Sequence, residues 1–166
     1  VTTATTFYAK WIPVQTADSS LVLSGTAGQY GQVSGGQIIP ATGAFTVQAW
    51  FQADSNVANN SNAVLISQGT GSNRFYIKRN TAGSVIFYRD GGITETACGI
   101  ASANSWHHVA ISYNGSGTST CYLNGALQAT LGASTSISTG FAVGDYSVQL
   151  NQRVNTWKGA IDEVRV

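Results

Sequence analysis

Phe45-Thr46-Val47-Gln48-Ala49-Trp50-Phe51 decides the fold class. A β-strand sends successive side chains to opposite faces, so Phe45, Val47, Ala49 and Phe51 share one face and Thr46, Gln48 and Trp50 the other. Val109, Ile111 and Tyr113 repeat the pattern, with His108, Ala110 and Ser112 opposite. Working outward, short apolar or alternating runs bounded by Gly, Asn, Ser and Thr predict strands at 21–25, 28–33, 45–53, 63–69, 74–79, 84–89, 93–98, 106–114, 118–124, 126–131, 140–144 and 158–166. No stretch carries a sustained helical period. Asn114-Gly115 and Asn124-Gly125 predict type I′ hairpin turns, whose two central residues take positive φ, and Asp90-Gly91-Gly92 reads the same way. So many short strands with regularly spaced turns imply an all-β sandwich or barrel.

The composition narrows the function. The chain has 166 residues, enough for one domain with its own core, and only 8 Lys and Arg against 7 Asp and Glu. A net charge of +1 gives no electrostatic reason to bind nucleic acid or an anionic membrane. The place of charge is taken by 18 Ser, 18 Thr, 11 Asn, 10 Gln and 19 Gly. The longest apolar runs, Ala63-Val64-Leu65-Ile66 and Val85-Ile86-Phe87-Tyr88, are far too short for a membrane-spanning helix, so no membrane insertion is expected. A hydrophobic content of 43% argues against disorder. Without any Met or a leader-like segment, the chain reads as a mature fragment or an excised piece of a larger protein. Cys98 and Cys121, in an extracellular-looking composition, are read as a disulfide; two inert buried thiols are the alternative. Pro13 separates the short apolar run Phe7–Ile12 from a polar stretch, Gln15–Ser20. Residues 1–13 are then the tail of a preceding module or the first strand of the sandwich, 14–20 a linker, and 21–166 the main domain.

Three stretches resemble the laminin-G-like, concanavalin-A-like jelly-roll family. They are Leu21–Gly25 through Val33 and on to Phe45–Trp50; Trp106-His107-His108-Val109-Ala110 followed by Cys121-Tyr122-Leu123-Asn124-Gly125; and the closing Trp157–Val166. They occur in the family's order and cover residues 21–166. Separately, Thr6-Phe7-Tyr8-Ala9-Lys10-Trp11 is similar to the last strand of internalin-type B repeats. The resemblance implies a two-sheet antiparallel sandwich, used mostly to bind carbohydrate, glycoprotein or protein partners. It implies a secreted or surface-displayed bacterial protein with flanking domains in the same chain, and in many members a calcium ion. It also implies that His108 packs and hydrogen-bonds within a sheet rather than catalysing.

Candidate sites follow from residue chemistry. Glycosidic cleavage needs a pair of acids. The seven acids, Asp18, Asp54, Asp90, Glu95, Asp145, Asp162 and Glu163, form no i, i+2 pair on a strand, and Asp162-Glu163 point to opposite faces. No Ser lies in a nucleophile-elbow pattern. The chain is therefore expected not to be an enzyme. Calcium, a structural Ca²⁺ held by oxygens, would draw on Asp162 of the closing strand, on Asp145, and on carbonyls of the loop 25–28. The alternative for Asp162 is a turn cap, or a pair with Arg165 or Lys158. Sugar recognition pairs aromatic faces with planar polar groups. In the hairpin 74–90, Phe75, Ile77, Val85 and Phe87 should face the core, leaving Tyr76, Lys78, Ile86 and Tyr88 on the other side. That face is either an open patch or a covered layer. Tyr146, Asn151, Arg153 and Trp157 cluster in the longest irregular segment, where rim recognition is common; Trp157 alternatively pins that loop. The expected function is a noncatalytic binding or adhesion module for carbohydrate or a glycoprotein. A spacer domain without a ligand is the second reading, and a glycan-degrading enzyme of the same fold the third.

Overall fold

The structure, a computed structural model, describes residues 19–33, 35–55, 63–71, 73–89, 95–132, 137–145 and 156–166. Among these residues, twelve strands follow one another: β1 Leu21–Ser24, β2 Gly31–Val33, β3 Phe45–Ala53, β4 Ala63–Thr70, β5 Asn73–Arg79, β6 Ser84–Arg89, β7 Thr96–Ile100, β8 Trp106–Tyr113, β9 Thr118–Leu123, β10 Ala126–Gly132, β11 Phe141–Val143 and β12 Lys158–Arg165. They form two six-stranded sheets, ordered β1-β12-β3-β8-β9-β10 and β2-β11-β4-β5-β6-β7. Every pairing is antiparallel. This is an all-β sandwich of two antiparallel sheets. The strand expected at 93–98 is described from Thr96 on, and the division expected at Pro13 falls among residues outside the described ones.

The alternation in β3 and β8 is what holds the sheets together. Phe45, Val47, Ala49 and Phe51 are buried, and so are Val109, Ile111 and Tyr113 on the neighbouring β8. They meet Phe75, Ile77, Val85 and Phe87 of the second sheet in one core. Phe45 and Phe75 stand edge to face across the gap, centroids 6.3 Å apart. Cys98 on β7 and Cys121 on β9 form a disulfide with Cα atoms 5.8 Å apart, so one covalent link joins the two sheets.

Buried polar groups tie loops to this frame. Gln68, fully buried on β4, accepts the Ile39 N–H at 2.8 Å and donates to the Ile39 carbonyl at 2.8 Å. A buried amide needs such partners. Arg79 likewise donates through Nη2 to the Ala101 carbonyl at 3.0 Å. Of the predicted turns, Asn124-Gly125 has positive φ at both residues, 52° and 80°. Asn114-Gly115 differs. The loop there runs on to Thr118, because the Asn114 side chain accepts the N–H groups of Ser116 and Thr118 at 2.8 and 3.0 Å. An Asx-type cap competes with the two-residue turn and wins. Asp90-Gly91-Gly92 lies outside the described residues.

Candidate functional site

The two outer faces differ in a way that separates the candidate residues. In the second sheet, register places Tyr76 opposite Tyr88 and Lys78 opposite Ile86, with Ser67 and Val64 on the other flank. All but Ile86 and Tyr88, which are half-buried, are buried: Tyr76 is 2% exposed and Lys78 4%. The face is therefore a covered layer, and the expectation of an exposed Tyr76 platform is corrected. The two rings stack at 5.0 Å, nearly parallel. The Arg74 guanidinium lies over both, 5.3 Å from the Tyr76 centroid and 5.2 Å from Tyr88. Below them the Tyr76 hydroxyl and the Lys78 ammonium both donate to Glu95 Oε1. Burial pushes the Glu95 carboxyl up, but hydrogen bonds from Lys78 and Tyr76, with the charges of Lys78 and Arg74, outweigh it and hold the group below its usual range. A carboxylate held ionised in this way is a poor proton donor, so Glu95 does not suit general acid work. Asp90 lies outside the described residues.

The outer face of the first sheet is open. Trp50 is 44% exposed and Trp106 43%. Trp50 pairs with His108 and Trp106 with Gln52, so the two indoles are diagonal neighbours on adjacent strands, about 7–8 Å apart at the backbone. The His108 ring sits 5.2 Å from that of Trp50, and burial lowers its pKa. A neutral imidazole beside an indole adds flat surface without charge. Gln48 and Gln52 of β3 share this face, and Asp162 of β12 stands opposite Trp50. The side chains offer stacking surface plus amide and carboxylate groups, the donor set that polyhydroxylated ligands use.

The remaining candidates fall as follows. Trp157 is 1% exposed and meets Phe51 edge to face at 5.6 Å, while its backbone N–H donates to the Gly144 carbonyl at 2.7 Å. It is a core residue, which corrects its expected place in a binding rim and fits the pinning alternative. Tyr146, Asn151 and Arg153 lie outside the described residues. For calcium, the described residues do not fit a carboxylate cage. Asp162 Oδ1 accepts the Glu163 N–H at 2.7 Å and so caps the bulge where Glu163 takes φ 50°. Lys158 pairs with Asp54 and Arg165 with Glu163. The Gly25 carbonyl accepts the Thr156 hydroxyl at 2.8 Å. Asp145 is fully buried in the bend after β11, a strand of the other sheet from that of Asp162. Among the described residues no three His, Cys, Asp or Glu side chains gather in a metal-binding group.

A family model described as "Concanavalin A-like lectin/glucanases superfamily", Laminin_G_3, matches residues 24–166. The chain belongs to this superfamily. No curated protein sequence matches it. Among solved structures, this concanavalin A-like chain is similar to domains LG4-5 of the mouse laminin α1 chain at a TM-score of 0.64 and 14% identity, over 88% of the chain. It spans only 40% of that laminin fragment. It is also similar to the CBM40 of the Ruminococcus gnavus IT-sialidase bound to α2,3 sialyllactose (TM-score 0.64, 16% identity, 89% of this chain and 91% of that one). Domain 4 of AbnA, a GH43 extracellular arabinanase from Geobacillus stearothermophilus, in complex with arabinotriose, aligns at 0.61 with 18% identity, covering 88% of this chain and 68% of that one. At these identities the likeness is one of fold. No helix among the described residues is long and apolar enough to cross a membrane.

The indole pair is absent from the residues the sequence singles out. Its signal is nonetheless there, since Trp50 interrupts an otherwise polar face of a strictly alternating strand.

Proposed function

We propose that the chain is a noncatalytic carbohydrate-binding module that holds sugar on Trp50 and Trp106 at the outer face of the first sheet. The observation that carries this reading is the exposure of two adjacent indoles, 44% and 43%, on a face that also carries amides, hydroxyls, an imidazole and the Asp162 carboxylate. Large aromatic surface left in water on a regular strand face calls for a ligand. Pyranose C–H faces stack on indoles while Gln48, Gln52 and Asp162 are placed for hydroxyl groups. Solved relatives bound to sialyllactose and to arabinotriose support a glycan as the ligand class. The module would work outside the cell, recognising free or protein-linked glycans on behalf of flanking domains.

A glycan array with and without EDTA tests it. Trp50→Ala and Trp106→Ala should each weaken binding by about tenfold or more, as loss of an aromatic anchor does. Loss of binding in EDTA would assign a cation to the site and make Asp162 the next residue to replace. Absence of binding across a broad array would overturn the reading in favour of a spacer domain. Hydrolysis of any polysaccharide that Glu95→Gln and Asp90→Asn abolish would overturn the noncatalytic assignment.

A further inference from the structure

The indoles are one end of a longer exposed surface. Strand β9 alternates in step with β8: Ser119, Cys121 and Leu123 are buried, so Thr118, Thr120 and half-buried Tyr122 turn outward, onto the face that carries Trp50 and Trp106. Pairing then sets one row across the sheet: Gln48 opposite Ala110, Ala110 opposite Tyr122, and Tyr122 opposite Leu127 of β10. Residues directly opposite one another share a face, and Leu127 is 60% exposed. Trp50 and His108 occupy the next row, Gln52 and Trp106 the one after.

Strand spacing and rise convert this register into lengths. Trp50 and Tyr122 are two strands and two residues apart, about 12 Å at the backbone, and Trp106 and Leu127 two strands and four residues apart, about 17 Å. A single pyranose ring seated on the indoles ends short of the phenol. Between the two ends stands Ala110, whose methyl leaves the floor of the face low. Tyr122 and Leu127 therefore continue the apolar surface beyond the reach of one sugar, where only a longer ligand covers them.

Charge narrows the chain that fits. Asp162 stands opposite Trp50. The cations of β12, Lys158 and Arg165, are engaged by Asp54 and Glu163. A carboxylate beside the stacking surface accepts the hydroxyl groups of an uncharged sugar and repels the carboxylate of an acidic one.

We propose that the outer face of the first sheet binds an internal stretch of an uncharged linear polysaccharide, running from the indoles over Ala110 to Tyr122 and Leu127. The inference rests on the carbohydrate-binding reading above and adds to it the length and charge of the ligand.

The test uses the full chain and calorimetric titration with β-1,4-linked gluco-, xylo- and manno-oligosaccharides and α-1,5-linked arabino-oligosaccharides of two to six units, the corresponding soluble polysaccharides, and α2,3 sialyllactose. In the series that binds, affinity should rise about tenfold from two units to six, the increment of a further aromatic contact. Several modules should bind each polysaccharide chain, because no chain end is read. Tyr122→Ala should remove most of the gain with length, and Tyr122→Phe should keep it, since the ring stacks without its hydroxyl. Ala110→Gln raises the floor in mid-path and should also flatten the length dependence. Its side chain stays on the wet face, so its thermal midpoint should remain that of the parent. Sialyllactose should bind about tenfold weaker than the six-unit chain, or not at all. Equal affinity for two and six units, a gain with length that survives Tyr122→Ala or Ala110→Gln, one module per polysaccharide chain, or sialyllactose bound as tightly as the six-unit chain would each overturn the proposal and leave a sugar site at the indoles standing. Failure of every linear chain while an array finds another glycan also overturns the proposal alone. Failure of every glycan overturns the carbohydrate-binding reading with it.

Discussion

Reducing the Cys98–Cys121 disulfide should cost the sandwich a large share of its stability. The bond closes a loop of 23 residues. Removing it returns to the unfolded chain an entropy worth about 3 kcal/mol at 25 °C on the loop-closure relation. For a chain of this size about 2–4 °C of melting temperature accompanies each kcal/mol, so the midpoint should fall by roughly 6–12 °C. The site of the link makes the effect local as well as global. Among the described residues β7 is an edge strand paired with β6, and the disulfide ties it to β9 of the other sheet. Thermal unfolding followed by circular dichroism, with and without a phosphine reductant, reads the shift. Thiol titration of denatured, unreduced protein should find no free thiol. Cys98→Ala and Cys121→Ala should not add in the double variant, because either change alone breaks the one bond. Two titratable thiols, a midpoint indifferent to reductant, or fully additive single losses would refute the reasoning.

Three further outcomes follow from packing and charge. Trp157→Ala should destabilise by about 3–5 kcal/mol in urea titration, the cost of emptying a large buried aromatic site, while Trp157→Phe should retain glycan binding at the indole face. Gly159→Ala should lower stability by more than about 1 kcal/mol, since φ is 130° there and an added methyl would run into the Gln52 carbonyl across the β12–β3 pairing. Glu95 lies below its ordinary value in the folded state. Its contribution is therefore complete above the unfolded carboxylate pKa, near ~4.3, and is lost as pH falls through the lower folded value. Glu95→Gln should remove that step from a plot of melting temperature against pH between about 7 and 3.

The strand list was readable because nearly every element obeys a local rule. Phe45–Phe51 and Val109–Tyr113 alternate and bury one face, and Tyr76 opposite Tyr88 follows from the hairpin alone. What a local rule cannot report is the third dimension. Trp157 sits in an irregular segment with no period to read. Its burial comes from Phe51 and Gly144, both distant in the chain. Asp162 and Asp145 look alike as isolated acids, and only the bulge after Asp162 shows that one of its carboxylate oxygens accepts the next N–H. Asn114 and Asn124 share the same dipeptide, yet side-chain competition for backbone donors sends one into a longer loop.

The outer faces are the instructive case. Alternation says which residues share a face, but not whether that face meets water. The discriminating signal is the loss of alternation. Strand β4 opens Ala63-Val64-Leu65-Ile66, apolar on both sides, and all four residues are buried. A strand covered on both faces has no polar side to display. Tyr76 lies in the strand next to β4, so its ring belongs to a closed layer and its hydroxyl needs an internal acceptor, which Glu95 supplies. Strand β3 does the reverse. Thr46 and Gln48 mark a wet face, and Trp50 stands in line with them. An aromatic on the polar side of an alternating strand is thus a better pointer to a binding surface than a richer cluster of aromatics beside a continuous apolar run.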